Sequence, residues 1–297
     1  MELRTLRYFL AVAHEGNISR AAESLYIAQP SLSRQIQSLE KELGCQLFIR
    51  KSHRVELTPE GLELRSRATE VLEMVGRIED EFAQRDEHSI VGDVHLVAAE
   101  TAGMHCVARV ITELHEQYPG ISLHLHTGDD TQASDMLDKG LADFAVICQP
   151  AYVVNYHTRK LPDKDVWGVL MRVDDPLAVG EGVTAAQLAK RPCYLSRQQV
   201  NLSHETNPLR NWLGHYRGRV KQIGTLDLVR NAGAMVAAGD ALAVTFQGIG
   251  GYDTDKLTFR PFEPRLETGS VFAWKRHRTF NEASRVFLDA IKERLEG

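Results

Sequence analysis

Cysteine is scarce in this chain: four residues in 297, at Cys45, Cys106, Cys148 and Cys193, none of them a CxxC pair. That spacing excludes a zinc ribbon and a thioredoxin motif, and in a reducing compartment it predicts free, buried thiols. Long apolar runs are also missing. No stretch approaches the roughly 20 residues that span a bilayer. The start, Met1-Glu2-Leu3-Arg4, lacks the apolar core of a secretion signal. A cytoplasmic protein is expected. GxSxG, Walker and HExxH motifs are absent too, and the acidic residues have no evident partner base. An enzyme is therefore not the expected reading.

What is present is organised by charge. The whole chain has a net charge of -5. Residues 1–58 hold eight Lys/Arg against six Asp/Glu, and residues 59–88 hold four against nine. The one positive segment is the first, and Arg50, Lys51 and Arg54 cluster at its end. Such a patch suits phosphate contact.

Within that segment Leu3, Leu6, Phe9, Leu10 and Ala13 recur at helical spacing. Gly16 breaks the chain, Asn17 caps a short second helix, and the small Ala21-Ala22 pair allows a close helix approach. A third helix starts near Gln29-Pro30, where proline is tolerated in the first turn. Leu32, Ile36, Leu39 and Leu43 make its predicted buried stripe. Its other side presents Pro30, Arg34, Gln37 and Lys41, with Gln29, Ser31 and Ser33 at the polar N-terminal end. Arginine and glutamine can pair with guanine and adenine edges. Two short strands follow, joined by Lys51-Ser52-His53-Arg54. Three helices and a basic hairpin make a winged helix-turn-helix. The candidate DNA-contacting residues are Gln29, Pro30, Ser31, Ser33, Arg34, Gln37, Arg50 and Arg54. The competing reading is a small helical core with a solvated polar face.

The same residues resemble the N-terminal domain of LysR-type transcriptional regulators. The match runs through Phe9, Ala11-Val12-Ala13, Ala21-Ala22-Glu23-Ser24-Leu25 and Gln29-Pro30-Ser31-Leu32-Ser33-Arg34-Gln35-Ile36. It continues through Leu39 to Gly44, Leu47 to Arg50, and Leu57-Thr58-Pro59-Glu60-Gly61. Asn17 stands where the family usually has serine, one capping residue for another. The resemblance implies a cytoplasmic, homo-oligomeric regulator that binds double-stranded DNA. It implies a dimer through a linker helix, tetramers built from dimers, and no cofactor beyond a small-molecule effector.

Residues 59–88 read as that linker. Leu64, Ala68, Val71, Val75, Ile78 and Phe82 follow a heptad seam. The alternative is a helix packed along its own domain. Gln84 to Val91 is expected to be a hinge.

From Gly92 onward strands and helices alternate, which predicts a mostly parallel, doubly wound α/β sheet. The elements divide into a first lobe, residues 92–161 plus 267–297, and a second, 162–266. The expected fold is α/β: an N-terminal winged helix-turn-helix (1–58), a linker helix (59–88), and a two-lobed effector domain (89–297). The resemblance implies a periplasmic-binding-protein-like form for the last. Ligands in such sheets bind beyond the carboxyl ends of strands. That rule selects Glu100 and Thr101, Thr127 to Asp129, Cys148 and Gln149, Ser196 and Arg197, Thr225, and Thr245 to Gly248; the candidate effector contacts among them are Thr101, Thr127, Gln149, Ser196, Arg197, Thr225 and Phe246. Thr101, at a helix N-terminus, suits a carboxylate. Asp129 and Asp130 argue against a strongly anionic ligand on their side.

Two sharper ideas are weaker. His124 and His126 share one face of a strand but have no third ligand of suitable spacing, so no metal site is expected. Peroxide-sensing members of the family need a partner cysteine close in sequence, and none follows Cys193. The remaining alternative is a small-molecule-binding protein without a regulatory DNA role.

Overall fold

The computed structural model describes residues 1–50, 54–83, 90–149, 155–197, 207–249 and 253–296. It divides into two compact units, Met1–Arg85 and Asp86–Gly297.

In the first unit, α1 (Leu3–Glu15) ends where Gly16 takes a left-handed turn at φ 57°. Asn17 then opens α2 (Ile18–Ser24), its side chain accepting from the N–H groups of Ser19 and Arg20 at 2.9 and 3.1 Å. Helix α3 (Gln29–Leu43) has Pro30 in its first turn and closes at Gly44, φ 70°. Strands β1 (Phe48–Arg50) and β2 (Val55–Leu57) pair antiparallel, Phe48 opposite Leu57. The core follows the apolar spacing: Phe9, Val12, Ala21, Leu32, Ile36 and Leu39 are at most 1% exposed. Leu43 departs from it at 41% exposed, because the last turn of α3 projects beyond this small core. Glu40 accepts from the N–H groups of Leu47 and Phe48, fixing β1 to α3.

Helix α4 (Pro59–Ala83) is started by Thr58, whose hydroxyl accepts from the N–H of Gly61 at 2.9 Å and donates to the Gln46 carbonyl at 2.7 Å. Gly61 has no freedom to be larger: a Cβ there would lie 2.2 Å from the Leu47 carbonyl oxygen. The apolar residues of α4, those of the predicted seam among them, split in two. Leu64, Ala68 and Leu72 pack into the core of this unit. Leu62, Val71, Met74 and Ile78 are 43–51% exposed. The expected hinge at residues 84–91 falls mostly outside the described residues.

The second unit is built on a ten-stranded sheet. Its first half runs β3 (Val91–Ala98), α5 (Met104–Gln117), β4 (Gly120–Thr127), α6 (Asp130–Asp138) and β5 (Phe144–Cys148). Strand β6 (Tyr156–Arg172) then crosses into the second half. There follow β7 (Val183–Thr184), α7 (Ala185–Leu188), β8 (Pro192–Ser196), α8 (Pro208–Leu213), β9 (Lys221–Leu226), α9 (Val229–Ala237), β10 (Leu242–Phe246) and β11 (Leu257–Glu263). Strand β12 (Glu267–Lys275) returns to the first half, and α10 (Glu282–Glu296) ends the chain's described fold.

The strand path is β4-β3-β5-β12-β6-β10-β8-β9, so the two lobes are halves of one continuous sheet. Each half has an apolar core on both faces, one pair around Phe144 and Ala145, the other around Val169 and Leu170. Strands β3, β4 and β5 are mutually parallel, as are β8, β9 and β10. The sheet is nevertheless more mixed than the alternation predicts. β12 and β6 run antiparallel to their neighbours, because β12 returns from the second half and inserts between β5 and β6, which share one direction. Gly168 lets β6 pass β11, since a Cβ would lie 2.2 Å from the Arg260 carbonyl oxygen.

Candidate DNA-reading face and ligand cleft

On α3 the buried and polar faces separate cleanly. Leu32, Ile36 and Leu39 face inward, while Gln29, Pro30, Ser31, Arg34 and Gln37 are exposed and Ser33 is half-buried. Ala28 supplies no side-chain cap, and the first turn carries no acid. An uncapped, acid-free helix N-terminus is electrostatically suited to a phosphate. Tyr26, in the turn before α3, is 96% exposed and held at φ 53°, a conformation unusual for a bulky residue. Sequence reading passed over it because an aromatic in a short helix connection looks like core. Arg54 pairs with Glu56 at 2.8 Å on the wing. Lys51, Ser52, His53 and the Arg50 side chain lie outside the described residues.

In the second unit the carboxyl ends of strands from both halves surround a cleft of about 600 Å³ including its open mouth. Of the seven candidates, Ser196, Arg197 and Phe246 line it; Thr101, Thr127, Gln149 and Thr225 are not among its lining residues. Glu100, Gly128, Asp129, Cys148 and Thr245, from the same strand-end loops, also line it. Trp167 and Asp227 were missed. Trp167 sits on the crossing strand, where periodicity marks it only as core, and it donates through its indole N–H to Thr268 at 2.9 Å. Its ring meets that of Phe246 edge-on, at 4.6 Å between centroids and 88°. Asp227 pairs with Arg197 at 2.9 Å.

The Thr101 hydroxyl is already engaged. It donates to Asp165 at 2.6 Å, and the Ala102 N–H donates to the other oxygen of the same carboxylate at 2.7 Å. Asp165 is 1% exposed. Burial pushes its carboxyl above the usual range, against the lowering effect of those two hydrogen bonds. The N-terminal end of α5, which sequence reading offered to a ligand carboxylate, thus holds one supplied by the chain. Gly103 is needed there because a Cβ would lie 2.0 Å from the Ser270 hydroxyl.

Burial also raises the Cys193 thiol to about 11 and holds the Cys148 thiol far above its ordinary value. Both stay protonated at neutral pH, which disfavours thiolate chemistry. His124 pairs with Asp93 at 2.9 Å and its ring stacks on His95 at 4.7 Å. No group of three or more potential metal ligands occurs among the described residues. No helix there is long and apolar enough to cross a membrane.

Two family models match: the bacterial regulatory helix-turn-helix of the lysR family over residues 3–62, and the LysR substrate binding domain over residues 88–296. The Hca operon transcriptional activator HcaR of Escherichia coli is 30% identical over 305 aligned residues, covering 99% of this chain and 98% of that protein. The DNA-binding transcriptional dual regulator OxyR of Escherichia coli is 33% identical over 50% of this chain and 48% of its own. Among solved structures, CbnR, a LysR family transcriptional regulator, superposes with a TM-score of 0.75 at 18% identity, with both chains fully covered.

Proposed function

The chain belongs to the LysR family of bacterial transcriptional regulators, and from that premise we propose how its own residues carry that activity. Members of the family bind DNA through the helix-turn-helix and an effector through the substrate-binding domain. In this chain Gln29, Ser33, Arg34 and Gln37 read base edges from the major groove. Pro30 and Ser31 bring the N-terminus of α3 to a phosphate, and Arg50 and Arg54 hold the backbone from the wing. The observation that carries this assignment is the division of α3 into a buried Leu32-Ile36-Leu39 stripe and an exposed polar face.

We divide the chain at residues 58 and 88, with α4 pairing two copies so that two recognition helices meet two half-sites. The cleft holds a small-molecule effector, with Ser196, Arg197 and Phe246 in contact and Thr101 supporting from behind. Thr127, Gln149 and Thr225 stand at the strand ends around it. Effector control requires different affinity for two arrangements of the protein. The protein works in the cytoplasm, as a regulator and not as an enzyme.

Mobility-shift titrations on DNA upstream of its own coding region test the reading. Affinity should fall steeply with salt, since each neutralised phosphate releases a counterion. Affinity that does not change with salt contradicts the phosphate contacts.

A further inference from the structure

The charge around the cleft identifies the chemistry of what fills it. Among the described residues three carboxylates line it, Glu100, Asp129 and Asp227, against one guanidinium, Arg197. The groups that would attract an anion there are partly engaged by the chain itself. Arg197 is paired with Asp227 at 2.9 Å. The N-terminus of α9 gives the Val229 N–H to Glu100 at 2.9 Å. The N-terminal end of α5 gives the Ala102 N–H to Asp165 at 2.7 Å. An incoming carboxylate would therefore meet a lining in which carboxylates outnumber guanidinium groups and the one guanidinium is already paired.

Cys148, a lining residue, reports further negative charge: its thiol is pushed up first by burial and then by Asp165 and Asp130, neither of which lines the cleft. The carboxylates keep capacity to accept, because each has about four lone-pair sites. Glu100 uses one of them on Val229. The lining also holds Ser196 and Thr245 and an apolar and aromatic part, with Trp167 and Phe246 in edge-to-face contact beside Val244 and Leu226. Aromatic faces carry negative potential and attract cations.

We propose that the cleft takes an organic cation, an ammonium group on an aromatic or apolar body. The ammonium is held among Glu100, Asp129 and Asp227, and the body lies against Trp167 and Phe246. This rests on the reading of the cleft as the effector site.

Calorimetric titration of the full-length protein with phenethylammonium, phenethyl alcohol and phenylacetate tests it. The ammonium should bind on the order of tenfold tighter than phenylacetate, with the alcohol between. Asp227→Asn, which releases Arg197 from its ion pair, should narrow or invert that ratio. Equal or tighter binding of phenylacetate overturns the proposal, as does absence of measurable heat with the ammonium. Ser196→Trp, which fills the cleft, separates the two levels. Binding of the probes that survives this variant sinks the cleft itself as the site. Preferential phenylacetate binding that it abolishes keeps the cleft and rejects the cation. Should Ser196→Trp fail to fold by circular dichroism, the ratio in Asp227→Asn decides, as Asp227 is an exposed residue.

Discussion

Glu100 and Val229 lie 129 residues apart in the chain, yet the Glu100 carboxylate accepts the Val229 N–H at 2.9 Å. Glu100 follows β3 in one half of the sheet, and Val229 opens α9 in the other. The bond ties the halves across the cleft and places a negative charge at a helix N-terminus, where it is favourable. Glu100→Ala should cost about 1 kcal/mol, the usual worth of such a bond. In a chain of this size that lowers the melting temperature by about 2–4 °C. Glu100→Gln keeps an acceptor and should lose less. A scanning-fluorimetry profile identical for Ala and wild type would show that the bond contributes nothing in solution.

Arg34 is exposed on the second turn of α3, one position on from the half-buried Ser33. An arginine paired to a guanine edge is worth about 1–3 kcal/mol of discrimination. Arg34→Ala should therefore bring specific and scrambled duplexes closer in affinity, with little change in the melting temperature of the free protein. Competition mobility shifts at fixed salt measure the ratio. An unchanged ratio removes Arg34 from the set of base readers.

The DNA-reading unit was legible because its signals are local. Asn17, Gly16, Pro30 and Gly44 each act on the turn that contains them, and all four perform there as their residue types dictate. The cleft was legible only in outline. Strand ends announce Ser196, Arg197 and Phe246, but partners such as Asp227 for Arg197 and Asp165 for Thr101 come from distant strands and loops. Periodicity cannot see those pairings, since nothing in the spacing of Thr101 and Asp165 says they meet. The mixed sheet was hidden for a related reason. Where a returning strand rejoins the sheet is not written in its own spacing, and β12 rejoins between β5 and β6.

Helix α4 carries two apolar stripes with different work. Leu64, Ala68 and Leu72 belong to the core of the first unit, whereas Val71, Met74 and Ile78 are exposed at spacings of three and four. The second stripe is the surface we propose for pairing two copies. Val71→Asp with Ile78→Asp should shift the protein towards monomer in sedimentation while leaving the helical signal of the first unit intact. Leu64→Asp should instead unfold that unit. Dimer persisting at micromolar concentration in the double variant places the interface elsewhere.

Asp165 should make the protein more stable in acid than its other carboxylates would. The carboxyl is 1% exposed, and its folded pKa lies above the ordinary aspartate value of about 3.9, because desolvation outweighs the bonds from Thr101 and Ala102. A raised folded pKa means that the native state holds its proton more tightly than the unfolded chain does. The contribution to stability is then complete below the unfolded pKa and declines as pH rises through the folded one. Asp165→Asn cannot ionise, and it still presents an oxygen to the Ala102 N–H. Relative to wild type, the variant should gain stability as pH is raised from about 4 towards neutrality, whatever its offset at the acid end. Urea unfolding of both proteins across that range measures the difference. A difference that stays flat, or moves against the variant with rising pH, would mean that the buried carboxylate is held ionised by its two donors at little cost. Its place at the head of α5 would then stabilise the lobe at neutral pH.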